Sequence, residues 1–326
     1  MKNNIFVVIP SIRNLGFLKK WKNQFLNCHL IVVEDNEKKT INSKNLKFVS
    51  VTHFCHKDVE KDFANNSWIF SRKNAGIRSY GFWKAYQLGA DVIVTIDDDC
   101  YPAENNFIKK HIDNLNFKAL SGWINTYPNP KYLFTRGIPY SNREKVSVMV
   151  SHGLWSGSLD LDAKTEINLK TIVNEKPYLN IRQIIPNGYY YPMCSMNLAF
   201  KREIVPLMFF PMMGQDPKGK TWKYNRYDDI WAGIFSKKII DHLSFGVVSG
   251  SPFVEHRRAS NVLENFKKEK KAMKVNEVIW KLVDEVKLTK NNPKDCYIEL
   301  AQKIKFPKEE YFDKLRKAMI IWANLF

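Results

Sequence analysis

The sequence predicts an α/β fold with a doubly wound, mostly parallel sheet, on three observations. Short runs rich in Val and Ile, namely Ile5 to Ile9, Leu30 to Val33 and Val92 to Ile96, read as strands buried on both faces. Stretches with helical spacing separate them. Two of the runs also end in carboxylates, Glu34-Asp35-Asn36 and Asp97-Asp98-Asp99, at the strand ends where open α/β sheets bind ligands.

In chain order, Ile5 to Ile9 is the first strand, stopped by Pro10, with Ser11 to Asn14 as its loop and a capping candidate. Leu18, Trp21 and Phe25 recur at helical spacing before the Leu30 to Val33 strand. Lys47 to Val51 predicts a third strand, and Ile77, Gly81, Ala85 and Leu88 a helix leading into the Val92 strand. From about Gly122 to Gly219, Pro, Gly, Tyr and Trp accompany short apolar pieces, which predicts an irregular region flanking a cleft. Beyond Asn261, Leu263-Phe266, Val278-Ile279-Leu282-Val286, Leu300-Ile304 and Phe312-Leu315-Met319-Trp322 predict helices, interrupted by Pro293 and Pro307.

The 326 residues, 44% hydrophobic and 13% aromatic, suffice for a large core and exclude a disordered chain. Lys and Arg number 51 against 33 acids, a net charge of +18 that favours anionic partners. Lys267, Lys268, Lys270, Lys271 and Lys274 read as a solvated helix face, and no basic-aromatic motif points to a specific nucleic-acid partner. The five cysteines, Cys28, Cys55, Cys100, Cys194 and Cys296, form no C-x-x-C pair and suit a reducing, cytoplasmic setting. The amino terminus has too few apolar residues for a signal-peptide core, and no run approaches the roughly 20 residues of a membrane span, so membrane contact is at most peripheral. No glycine-rich phosphate loop follows a strand, which argues against a dehydrogenase or kinase.

Three adjacent carboxylates repel one another unless a cation sits among them. Strand periodicity would put Asp97 and Asp99 on one side and Asp98 on the other, so the first and third could hold a divalent ion bound to phosphates. The competing reading is an acidic turn or helix cap.

Val8-Ile9-Pro10-Ser11-Ile12-Arg13-Asn14 together with Thr95-Ile96-Asp97-Asp98-Asp99-Cys100 resembles the reversibly glycosylated polypeptide family, the UDP-arabinopyranose mutases. Arg136 to Ser141 with Arg143-Glu144, Ser151 to Trp155, Pro192 to Phe200 and Arg226 to Gly233 continue the likeness, followed by His256 and Ala259-Ser260-Asn261. It spans nearly the whole chain. Departures are Glu34-Asp35-Asn36, where members often carry Gln-Asp-Gly, and the segment Arg72 to Gly76.

The resemblance implies a GT-A-type nucleotide-diphospho-sugar transferase fold, over residues 1–260, and dependence on Mn2+ or Mg2+; the helical spacing beyond Asn261 predicts a helical appendage over 261–326. It implies interconversion of UDP-arabinopyranose and UDP-arabinofuranose. It places Asp35 at the uracil, the Asp97 to Asp99 cluster at ribose and metal, and Arg136 at the transferred sugar. Asp97, Asp99 and His256 are the candidate metal ligands; Arg136, Arg143 and Asp229 are the candidate catalytic residues. Pro10, Arg13, Asp35, Arg78, Asp98, Trp155 and Asp228 are the candidate substrate contacts. Asp228-Asp229 could equally cap the helix suggested by Ile230, Ile234 and Ile239.

Arg136 is in tension with its implied role, because a guanidinium stays protonated and is a poor nucleophile; a clamp on the diphosphate is the physical alternative, with Arg143 in the same capacity. If Arg136 carries the sugar, Glu144 or Asp229 must take its proton. Trp155, Tyr140 and Trp231 are aromatic candidates for the sugar face. The competing activity is a metal-dependent glycosyltransferase that passes the sugar to a glycan acceptor; a nucleic-acid or membrane-surface binder is the reading from another class. Homo- or hetero-oligomers are left open.

Overall fold

Ile5–Ser11 (β1) is buried from Phe6 onward, with Phe6 and Val8 in one core layer and Val7 and Ile9 in the other. The computed structural model describes residues 3–42, 50–120, 122–123, 133–143, 145–168, 182–258 and 260–326. The further strands are His29–Glu34 (β2), Ser50–Phe54 (β3), Val92–Ile96 (β4), Cys100–Pro102 (β5) and Lys118–Leu120 (β6). Lys145–Gly157 (β7), Gln183–Ile184 (β8), Asn197–Lys201 (β9) and Phe245–His256 (β10) follow.

All belong to one sheet of order β3-β2-β1-β4-β9-β7-β10-β5, with β6 beside β7 and β8 beside β10. The β3-β2-β1-β4 part is parallel, as is β7 with β10, whereas β9 runs antiparallel to β4 and β7, and β5 antiparallel to β10. The predicted α/β class is therefore observed.

The α-helices are Lys22–Phe25 (α1), His56–Phe63 (α2), Arg78–Gln87 (α3), Phe107–Leu115 (α4) and Ala163–Asn168 (α5). Asp228–His242 (α6), Val262–Asp284 (α7), Pro293–Lys303 (α8) and Glu310–Ala323 (α9) complete the set among the described residues. On one face of the sheet Val7, Ile9, Val94 and Ile96 pack against Trp21, Phe25 and Phe107. On the other, Val8, Ile31 and Ile93 share a core with residues of α3, α6, α8 and α9. A Cβ at Gly81 would come within 2.4 Å of Val8 Cγ1 and 2.9 Å of Val33 Cγ2, so glycine is what lets α3 lie against β1 and β2.

The carboxyl-terminal helices are tied to the rest of the chain. Trp322 Nε1 donates to Pro206 O at 3.0 Å and the Tyr311 hydroxyl to Met212 O at 3.0 Å. Asn261 Oδ1 caps α7 by accepting from the Leu263 and Glu264 amides, and Asn292 caps α8, where Pro293 occupies the first turn. No helix among the described residues is long and apolar enough to cross a membrane.

Several details differ from the sequence reading. Pro10 does not stop β1, which continues to Ser11; β4 pairing ends at Val8–Thr95, so the missing amide hydrogen costs no bond to that neighbour. The third strand is Ser50–Phe54, later than the predicted Lys47 to Val51, whose 47–49 portion lies outside the described residues. Leu18 and Trp21 lie in a 3-10 segment rather than an α-helix. Leu88 and Leu263 are exposed, not core. The region read as irregular contains β7 and β9, which carry Ser, His and Asn among their apolar residues and so lack an unbroken apolar run.

Candidate active site

β4 stops at Ile96 because its antiparallel pairing with β9 ends at Ile96–Asn197. The next three residues turn, closed by the Cys100 amide donating to Asp97 O at 3.2 Å, before β5 pairs with β10 and sets Cys100 opposite His256. The three carboxylates therefore occupy a turn rather than strand positions, and each meets different partners. Asp97 pairs with Arg78; Asp98 accepts from Ser11 Oγ at 2.8 Å and Arg13 Nη1 at 2.6 Å. Asp99 Oδ1 faces His256 Nε2 at 3.8 Å, and its Oδ2 lies 3.6 Å from Arg13 Nη1.

Burial and the neighbouring Asp97 push the Asp99 carboxyl above the ordinary range. Burial likewise raises Asp98, against the pull of Ser11 and Arg13. His256 Nδ1 donates to Ser158 O at 3.0 Å, which fixes the ring and leaves Nε2 directed at Asp99.

Arg78 is fully buried, donating from Nη1 to Thr95 Oγ1 at 2.9 Å and Ser195 O at 2.8 Å, and from Nε to Ala75 O at 3.1 Å. Arg78, a candidate substrate contact, joins the acidic turn to the Ser195 peptide.

Asp97, Asp99 and His256 line a cavity of about 480 Å3 that is also lined by Ser195, Asp228 and Asp229. Such a volume suits a nucleotide-sized ligand. Asp229 Oδ2 accepts from the Ser195 amide at 3.0 Å and Ser195 Oγ at 2.9 Å, while Oδ1 accepts from the Ile230 amide at 2.9 Å. Burial first, then Asp228 and Asp160, raise its pKa to about 7, where a carboxyl can take up or release a proton. Burial also raises Asp228, which Asn74 Nδ2 approaches at 3.5 Å. The N-cap of α6 is Tyr227, so the two acids occupy its first turn and are not the cap.

Raised acids carry a stability signature. Between about pH 4 and 7 the unfolded chain has lost the Asp229 proton while the folded chain keeps it, so this group's contribution falls as pH rises through that window. Asp229→Asn removes the effect: its melting temperature, relative to the parent, rises from pH 4 to pH 7. A pH-independent difference in the melting curves would contradict the assignment.

Asp35 is buried and accepts from the Lys73 amide at 3.1 Å and the Asn74 amide at 3.0 Å, with His56 Nε2 at 2.7 Å. It thus fastens the loop whose Lys73, Asn74 and Ala75 line the cavity. Pro10 is buried within β1, and Arg13 is engaged with the acidic turn. Trp155 lines the cavity, whereas Trp231 is core, donating from Nε1 to Asn276 Oδ1 at 3.2 Å. Arg136 is exposed, and Arg143 donates to Ile138 O while stacking 3.8 Å from the Tyr140 ring centroid. None of Arg136, Tyr140 and Arg143 is among the cavity-lining residues, and Glu144 lies outside the described ones.

The family profile described as "Reversibly glycosylated polypeptide" matches residues 1–326. The chain belongs to the reversibly glycosylated polypeptide family. Among similar curated proteins, UDP-arabinopyranose mutase 1 of Arabidopsis thaliana is 37% identical, covering 99% of this chain and 92% of that one. UDP-arabinopyranose mutase 1 of Oryza sativa subsp. japonica is 35% identical, covering 99% and 90%. Among solved structures, A197 from STIV aligns at TM-score 0.35 and 12% identity over 78% of this chain and 86% of its own.

This member of the reversibly glycosylated polypeptide family also has cavity residues that sequence reasoning missed. Ser195 lies in the Pro192 to Phe200 segment, but its partnership with Asp229 spans 34 positions. Arg226 pairs with Glu269 and Arg258 with Glu166, and all four line the cavity. The signal for Glu269 was its spacing: Asn265, Glu269, Ala272, Ile279 and Val283 form the buried stripe of α7, and a search for apolar residues passes over the first two. The lysines of that run are exposed, as predicted, although Lys268 also reaches the cavity.

Proposed function

We propose that this chain is a UDP-sugar mutase of the UDP-arabinopyranose type, working in the cavity between the acidic turn and the start of α6. Membership of the reversibly glycosylated polypeptide family over residues 1–326 supports the reading, as does the mutase name of relatives covering 99% of the chain. The observation that carries it is the joint lining of one cavity by Asp97, Asp99 and His256 with Asp228 and Asp229.

The residues suit Mn2+ or Mg2+. Asp97 and Asp99 offer oxygen donors whose repulsion a cation relieves, and His256 presents Nε2 toward Asp99. Among the described residues no three His, Cys, Asp or Glu side chains are gathered into a ready ligand set, so substrate phosphate oxygens and water would complete the shell. Such an ion, when bound, offsets the charge of the departing diphosphate.

The chain's own groups do the rest. Arg78 holds Asp97 in place and at the same time anchors the Ser195 carbonyl. Ser195 donates its amide and hydroxyl to Asp229 and so orients a carboxyl whose pKa burial and Asp228 raise to about 7, suited to carry a proton while the sugar ring opens and recloses. Arg136 is the candidate to hold the sugar: its nitrogen would bond the anomeric carbon as the bond to the diphosphate breaks, and a carboxylate would receive the guanidinium proton. As Arg136 is exposed and off the cavity wall, its loop must move inward for that step. Interconversion of two UDP-sugars by the purified protein without any acceptor tests the reading.

A further inference from the structure

We infer that Glu269, on α7, is a positioning residue for the Asp228-Asp229 pair, acting through Arg226. The inference rests on the reading that Asp229 takes part in the reaction.

Arg226 has φ +64°, a left-handed conformation that side chains other than Gly and Asn rarely adopt. It immediately precedes Tyr227, the N-cap of α6, so this reversal determines how Asp228 and Asp229 enter the first turn. Such conformations persist when surrounding contacts over-determine them, and they gather at functional sites. Here the contact is identifiable. Arg226 Nε donates to Glu269 Oε1 at 2.8 Å, and Glu269 Oε2 accepts from the Ala163 amide, at the start of α5, at 2.8 Å.

Glu269 is 4% exposed, and both of its carboxylate oxygens are used. A buried carboxylate held in two directions by a guanidinium and an amide is a rigid anchor. It joins the loop before α6, the start of α5 and the middle of α7 at the cavity wall, and Arg226, Asp228, Asp229 and Glu269 all line that wall. A side chain on α7, 43 positions from Arg226 in sequence, therefore sets the backbone on which the proton-carrying acid sits.

The test is a double-variant cycle. Glu269→Gln keeps an acceptor for the Ala163 amide but loses the charged partner of Arg226; Arg226→Gly adopts positive φ without one. The readouts are kcat and KM for UDP-sugar interconversion, and hydrogen exchange of the peptide spanning residues 226–231. The expected result for Glu269→Gln is a fall in kcat of at least about 10-fold with KM within about 3-fold, and faster exchange confined to that peptide. In the Arg226→Gly background the same substitution has little further effect on either readout.

Losses that multiply independently in the double variant, an unchanged kcat in Glu269→Gln, or faster exchange spread over the whole chain would overturn the positioning role. If the parent protein fails to interconvert UDP-sugars, the functional reading falls, and the localised exchange cycle still decides the link between Glu269 and the start of α6.

Discussion

Asp99→Asn is expected to abolish metal-dependent UDP binding, with a loss of affinity of at least about 100-fold in Mn2+ or Mg2+. The substitution removes one negative ligand from a cation that must offset a diphosphate, and it does so where His256 Nε2 is already directed at the same carboxylate. Asp97→Asn should act similarly and in addition leave Arg78, which is fully buried, without its carboxylate partner. Asp98→Asn should be milder, since Asp98 is turned toward Ser11 and Arg13. Calorimetric titration with UDP, with and without metal, separates these outcomes. Unchanged affinity and metal dependence in Asp99→Asn would remove the acidic turn from the metal site.

The second large effect is expected at Arg136. Incubation with labelled UDP-sugar and rapid quenching should give a mass increase of one sugar residue at Arg136, and Arg136→Lys should abolish both the adduct and interconversion. Against this, a protonated guanidinium has no lone pair to offer, and a diphosphate clamp would suit its fork of donors better. A clamp predicts no adduct, with partial activity in the lysine variant because the charge is kept. The exposed position of Arg136, on a segment that does not line the cavity, adds a further requirement that the loop close over the substrate. An active parent protein with no detectable adduct would remove the nucleophile role and leave the mutase reading intact.

The parallel half of the sheet was legible in the sequence because β1, β2 and β4 are buried on both faces and read as unbroken Val and Ile runs. β7 was not. Its ladder to β9 and β10 passes through Ser151 and His152, whose polarity hides a strand when pairing cannot be seen. The acidic turn was legible from its place at a strand end, and the family resemblance grouped His256 with it, but the partners of Asp97 and Asp98 were not legible, since they come from positions 11, 13 and 78.

Arg78 and Glu269 show the same limit from the opposite side. Charged residues are normally assigned to the surface, and only a fold that surrounds them with donors and acceptors makes them struts. Asp35 joins them as a buried carboxylate that fastens the Lys73-Asn74 loop. In each case the residue type gave the chemistry, and long-range pairing decided which atoms it served.

The most direct test of the central claim is an acceptor-free assay. Purified protein, Mn2+ and UDP-arabinopyranose are incubated together, and the UDP-sugars are separated and identified by their ring form. The account predicts that UDP-arabinofuranose appears, that the same equilibrium mixture is reached from either side, and that Asp229→Asn slows the approach by about 100-fold or more. An intact substrate that reacts only when a glycan acceptor is added, with the sugar transferred to it, would contradict the account.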